Sequence, residues 1–228
     1  MRHLDPSYSL CKPATMRHDA SNRLALAVLG ATGATGRHVV TNALARGHRV
    51  VALVRRPGSL APAPGLREHL WADLADAAGL GAALAGVDAV ISTLGGAEKG
   101  PTSVCTEAMR STVPAMAAAG VKRLIVVSAH GVLETHDSSL YSKAVWAGVA
   151  DRMRDKESME PLITASGLDW TIVRPPKLSE HAANGKYATG TDTSVRLWSS
   201  IGRADLADFL LDEAEVPRYT RAHPRITR

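Results

Sequence analysis

Aromatic side chains are scarce in this chain: nine in 228 residues, with Phe209 the sole phenylalanine. A core must therefore be assembled from Ala, Val, Leu and Ile. The two cysteines, Cys11 and Cys105, exclude a disulfide framework and a cysteine-rich zinc site. The His residues show no metal-ligand spacing, so no metal is expected. No run of roughly 18 uncharged apolar residues occurs, so no membrane-spanning helix is expected. The first 23 residues lack the apolar stretch of a secretory signal, and Asp5 and Asp19 break the acid-poor pattern of a transit peptide. They read as a disordered tail in a cytoplasmic protein. Met-Arg-His stands at Met1 and again at Met16, which makes Met16 an alternative natural start.

The composition is 45% hydrophobic and 21% charged, which is that of a globular chain. Its length suits one sizeable α/β domain, placed at residues 24–228. The formal charge of +5 at first admits a polyanionic partner. Its distribution narrows that. Residues 1–23 carry four basic and two acidic side chains, and residues 218–228 carry four arginines and no acid. The body between them is therefore nearly neutral. No nucleic-acid recognition motif is present. A small-molecule partner is expected, with the protein a monomer or homodimer.

Short apolar runs alternate with amphipathic segments. Strands are predicted at 24–29, 49–54, 67–71, 88–93, 122–128 and 169–174. Helices are predicted at 35–46, 76–85 and 102–119, the last kinked at Pro114, then from Tyr141 or Val145 to about 165, and at 203–214. The segment from Pro175 to Gly185 reads as a loop, with a short strand around Tyr187. Continuous apolar strands alternating with helices imply a doubly wound parallel sheet of Rossmann type, covered on both faces.

The strongest motif is Gly30-Ala-Thr-Gly33-Ala-Thr-Gly36, which follows the first strand and opens the first helix. Gly30 permits a tight turn, Gly33 a close backbone approach to a pyrophosphate, and Gly36 close packing of helix on strand. The helix N-terminus then faces the anion. The second strand ends in Arg55-Arg56, with no acid before Glu68. A carboxylate there would repel a 2′-phosphate, whereas two guanidinium groups favour NADP(H).

The glycine turn resembles that of atypical short-chain dehydrogenase/reductases, in particular the NmrA-like and flavin reductase/biliverdin reductase B-like branch, with Ala34 at its variable place. Further matching segments are Val54-Arg55-Arg56, Ala72-Asp73-Leu74, Ser92-Thr93-Leu94-Gly95, Val127-Ser128-Ala129, Ser166 to Pro176 and Arg203-Ala204-Asp205-Leu206-Ala207. The resemblance implies a nucleotide held by Gly30, Thr32, Gly33, Ala34, Thr35, Gly36, Arg55, Arg56, Asp73, Leu74, Thr93, Leu94, Gly95, Ser128, Pro175 and Pro176. Asp73 would lie under the adenine, or else cap a helix. Ser128 would touch the nicotinamide amide or the acceptor.

Orthodox members of this superfamily donate a proton from a Tyr-x-x-x-Lys pair. Here Tyr141 is followed by Lys143, on another helix face, and Arg152 stands four residues before Lys156. Lys156 has the family's spacing to Ser166 and is set either to reach a nicotinamide ribose or to join a solvated face with Arg152, Arg154, Asp155, Glu157 and Glu160. Lys177 stands where relatives often carry His and would support an anionic acceptor. Tyr141, His130, His136 and His181 remain alternative proton donors, and Trp146, Trp198 and Tyr187 alternative surfaces for a flat acceptor. A site with Ser128 and no Tyr/Lys pair suits hydride transfer to a quinone- or flavin-like molecule, such as a natural-product intermediate of a bacterium. An NADP-binding isomerase, epimerase or cyclase, and a non-catalytic NmrA-like sensor, are the rival expectations.

Overall fold

Strand β1 (Ala25–Leu29) consists of five fully buried residues, and its neighbours across the sheet are equally apolar. The computed structural model describes residues 23–96 and 100–228. The expectations for a disordered tail and for a start at Met16 concern residues 1–22 and lie outside them. The chain continues through α1 (Ala34–Ala45), β2 (Arg49–Val54), β3 (Leu66–Leu70), α2 (Ala77–Leu84), β4 (Ala89–Ser92) and α3 (Val104–Ala119). Then come β5 (Arg123–Val127), α4 (Leu140–Thr164), β6 (Asp169–Val173), β7 (Lys177–Ser179), β8 (Ala188–Gly190), β9 (Ser200–Gly202), α5 (Arg203–Glu215) and β10 (Arg225–Thr227).

The six long strands form one parallel sheet in the order β3-β2-β1-β4-β5-β6. Alternate side chains of each strand feed two cores. Leu26, Val28 and Ile125 pack with Val39 of α1 and Phe209 of α5 on one face. Ala27, Leu29 and Leu124 pack with Leu80, Met109 and Ile163 of α2, α3 and α4 on the other. The scarce aromatics are thus replaced by small aliphatic residues covered on both sides. The order reverses between β1 and β4, which opens a crevice beyond their carboxyl ends.

Two features differ from the sequence-based expectation. Helix α3 runs through Pro114 without a break, and the interruption falls in α4 at Val149, whose φ of −141° is not helical. The loop expected from Pro175 to Gly185 contains β7, which pairs in parallel with β9. The basic C-terminal stretch is part of the fold. Its backbone lies along β6, with N–H groups of Ile172 and Arg174 donating to the carbonyls of Ala222 (3.1 Å) and Pro224 (2.8 Å), and Ile226 is fully buried. Arg218 pairs with Glu213 and Arg221 with Asp169. Among the described residues no helix is long and apolar enough to cross a membrane.

Candidate active site

The glycine turn sits at the crevice, and each glycine has its own reason to be there. Gly30 has φ +75°, and a Cβ on it would stand 3.0 Å from Thr93 Oγ1 and 3.1 Å from Leu94 N. The ends of β1 and β4 are thereby drawn together, and the Thr93 hydroxyl donates to Leu29 O at 3.1 Å. A Cβ on Gly36 would fall 2.1 Å from the carbonyl oxygen of Gly30, well inside contact distance. Gly33 is the N-cap of α1 and supplies no side-chain cap. Its own N–H closes the turn on Gly30 O at 2.9 Å, and Arg37 N makes the first helical bond, to Gly33 O. The N–H groups of Ala34, Thr35 and Gly36 are therefore left for an outside acceptor at the positive end of the helix, with no acid in the first turn. This is an anion-binding arrangement, and a dinucleotide pyrophosphate fits its chemistry. Thr32 joins it from the loop, its carbonyl accepting Arg37 Nε at 3.0 Å. Arg37 escaped the sequence reading. Its signal was a cation in a helix first turn, where the dipole disfavours one unless an anion is near.

At the end of β2, Arg55 and Arg56 are both exposed. The acid that follows them is already engaged. Glu68 accepts the N–H groups of Gly58 and Leu60, each at 2.7 Å, and so closes the loop after the arginines. Asp73 is exposed and accepts Ala75 N at 2.9 Å. It is not the cap of α2, because Asp76 takes that position through Gly79 N at 2.8 Å. Leu74 packs against the core beside α3, and its carbonyl accepts Ser111 Oγ at 2.6 Å. Leu94 is half-buried and Gly95 exposed on the loop after β4.

The ends of β5 and β6 carry a buried ionic cluster. The Ser128 hydroxyl donates to Glu160 Oε1 at 2.5 Å. Glu160 is fully buried and takes Arg174 Nε at 3.2 Å and Nη2 at 2.5 Å. Arg174, also buried, pairs on its other side with Glu134, and His223 approaches Glu160 at 3.7 Å. Burial disfavours the charged forms, but the mutual contacts overcome it. The carboxylates raise the Arg174 pKa, and Arg174 lowers that of Glu134. Ser128 thus faces a carboxylate of α4. Lys156 comes to the same place, its Nζ donating to Val127 O at 2.9 Å. The solvated face considered around Lys156 is not what forms. Asp155 and Glu160 are both buried, while Arg154 pairs with Asp151 at the surface.

Pro175 and Pro176 are buried after β6, and Pro175 O accepts His130 N at 2.8 Å. Lys177, the first residue of β7, is exposed. The His130 ring packs against Tyr141 at 5.2 Å between centroids. Burial, with Arg225 and Arg174 nearby and Asp137 opposing them, pushes the His130 pKa down to about 4. Burial pushes the Tyr141 pKa up to about 12. Both are neutral near pH 7, and His130 Nδ1 is buried without a partner. His136 stacks on Trp146 at 4.1 Å and lies 3.4 Å from Glu157. His181 is exposed on the loop after β7, and the same loop is tied to α5 by Asp205, which accepts Asn184 N and Gly185 N. Among the described residues no cluster of His, Cys, Asp or Glu could hold a metal ion.

A six-stranded parallel sheet with an open helix N-terminus behind a three-glycine turn at its switch point defines a Rossmann-type nucleotide-binding protein. The chain belongs to the NAD(P)H-binding family, whose model matches residues 30–217, and with it comes a nicotinamide cofactor. The solved structure of ChuY, an anaerobillin reductase from Escherichia coli O157:H7, is 26% identical, with 89% of this chain and 96% of that one aligned at a TM-score of 0.74. An exported-protein candidate from Burkholderia pseudomallei is 30% identical over 90% of this chain and 100% of that one, with a TM-score of 0.71. The photosystem II assembly factor Ycf39 of Cyanophora paradoxa is 28% identical over 204 residues, which is 86% of this chain. The chain spans 58% of the length of that relative.

Proposed function

We propose that the protein is an NADPH-dependent reductase whose acceptor is a conjugated small molecule, quinone- or flavin-like. One observation carries this reading. Among the described residues the end of β5 holds no Tyr/Lys pair: Lys156 Nζ is bound to Val127 O at 2.9 Å, and Tyr141, at the start of α4, packs its ring against His130, so the proton donor that reduction of an isolated ketone uses is not assembled there. A conjugated acceptor delocalises the incoming electron pair and takes its proton from water. The nicotinamide, when bound, supplies the hydride. The chain's own part is to hold the two ring systems together.

In this reading the N–H groups of Ala34, Thr35 and Gly36 bind the pyrophosphate. Arg55 and Arg56 bind the 2′-phosphate, and Arg37 adds charge to the same region. Ser128 and Lys156 shape the end of β5 beside the nicotinamide. Lys177 offers its ammonium group to an anionic acceptor. That ChuY is an anaerobillin reductase supports reduction over epimerisation.

The test is steady-state NADPH oxidation, followed by absorbance, against a panel of quinones and flavins. Turnover is expected, together with at least tenfold tighter binding of NADPH than NADH at matched salt, a preference that Arg55→Asp removes. Tight nucleotide binding with no oxidation by any acceptor would overturn the reductase in favour of a sensor.

A further inference from the structure

The turn just before β9 is built from reciprocal bonds. Arg196 N donates to Ser199 Oγ at 2.9 Å, and Ser199 N donates to Arg196 O at 2.9 Å. Its two corner residues are Leu197 and Trp198. Turn corners ordinarily carry Gly, Asn, Asp, Pro or Ser, which suit the backbone and face water without cost. Here the corners are apolar, and they are exposed. Leu197 is 50% and Trp198 76% accessible, the latter the highest among the large apolar side chains described. In a chain with nine aromatics, leaving an indole in water is a marked departure.

The location is equally specific. Ser200, next after the turn, lies opposite Lys177 in the parallel pair of β7 and β9. Lys177 directly follows the two prolines that end β6, on the same carboxyl edge of the sheet as the crevice. Adjacent strands are about 4.8 Å apart, so the start of β9, two residues after Trp198, stands beside the residues that follow β6. The other aromatic candidates are already engaged. Trp146 donates its Nε1 to Gly131 O at 2.8 Å under a stacked His136, and Tyr187 packs edge-on against Phe209 in the core. The Arg196 guanidinium lies 6.0 Å from the Trp198 ring centre, a separation at which it supports the indole as a cation–π partner.

We infer that Trp198 is the specificity-determining residue for the acceptor, an indole that stacks on the outer face of a flat conjugated molecule seated at the mouth of the crevice, with Leu197 covering its edge. The inference rests on the reductase reading for the identity of the ligand. It adds that the enzyme selects planar, extended acceptors and handles small, non-planar ones poorly.

The experiment compares wild type, Trp198→Ala and Trp198→Phe, with menadione as acceptor and NADP(H) as nucleotide. Two readouts are taken: KM and kcat for menadione, and quenching of tryptophan fluorescence by menadione in the presence of NADP⁺. Because Trp198 is exposed at a turn, Trp198→Ala should fold and bind NADPH as wild type does. Its KM is expected to rise about tenfold with kcat little changed, as loss of one aromatic stacking contact predicts. The quench should disappear. Trp198→Phe, which keeps a ring, should stay within about threefold of the wild-type KM. Unchanged KM and quench in Trp198→Ala would overturn the stacking role and leave the reductase reading standing. Quenching that depends on Trp198 in a wild-type protein that oxidises no NADPH would uphold the stacking role and overturn the reductase. Binding of wild type but not Trp198→Ala to phosphatidylcholine–phosphatidylglycerol vesicles, with KM unaltered, would overturn the inference and assign the turn to a lipid surface.

Discussion

Gly36 is the residue the fold can least replace. As a helical position it would gain about 1 kcal/mol of propensity from alanine. Its missing Cβ, however, would stand 2.1 Å from Gly30 O, which is backbone and cannot step aside without moving β1. Gly36→Ala is therefore expected to lower stability by about 2 kcal/mol and to abolish nucleotide binding. Gly95→Ala, where nothing lies within 4 Å, should leave stability unchanged. Urea denaturation with parallel nucleotide titration checks both. This residue was legible in the sequence because its reason is local: three glycines at fixed spacing between a strand and a helix. Glu160 was not. In sequence it is one of several charges near Lys156, and nothing local says that Arg174 and Ser128 will meet it in the interior.

At the scale of elements, α3 is capped by a different helix. Its N-cap residue Ser103 turns its hydroxyl to Glu107, and the orphan N–H groups of Cys105 and Thr106 are taken by the Asp155 carboxylate of α4, each at 2.9 Å. The Thr106 hydroxyl adds a third bond, at 2.7 Å. Asp155 thus ties α4 to the start of α3, just after the loop that carries Leu94 and Gly95. Asp155→Ala leaves buried donors without acceptors. It should cost about 2 kcal/mol and speed amide hydrogen exchange over the first turn of α3, while β1 and β4 keep their protection. Wild-type exchange at Cys105 and Thr106 in that variant would show the cap to be dispensable. The period of α4 marked it as a helix, but a periodic pattern cannot distinguish a charge in water from one capping a neighbour. The short strands β7, β9 and β10 escaped for the converse reason. Each has three residues, too few for any period to register.

At the scale of the molecule, the basic C-terminal stretch is a structural strand neighbour of β6. Its main chain adds three bonds along the sheet edge, from Arg221 N to Trp170 O, Ile172 N to Ala222 O and Arg174 N to Pro224 O. Ile226 enters the core on the α5 side. Ending the chain after Pro217 is therefore expected to cost at least about 3 kcal/mol, from the loss of Ile226 and of the bonded sheet edge. The midpoint of thermal unfolding should fall clearly, and a truncated protein as stable as the full chain would contradict the packing described. The charge count by itself showed only that the basic balance sits at the two ends of the chain. Arg218 and Arg221 meet Glu213 and Asp169 across the fold.

The sequence by itself determined the class of fold, the six long strands, the glycine turn and the arginine pair after β2. These depend on contacts within a few residues or on a repeating period, and such information is contiguous along the chain. The tertiary structure alone decided which side chains meet in the interior. Ser128 and Glu160 are 32 residues apart in the chain, and Cys105 and Asp155 are 50 apart. Only the order of the strands makes them neighbours. The same holds for the turn that carries Trp198, which the pairing of β9 with β7 brings beside Lys177. Pairing between distant strands sets which polar groups are buried together, and burial in turn sets their charge state and their chemistry.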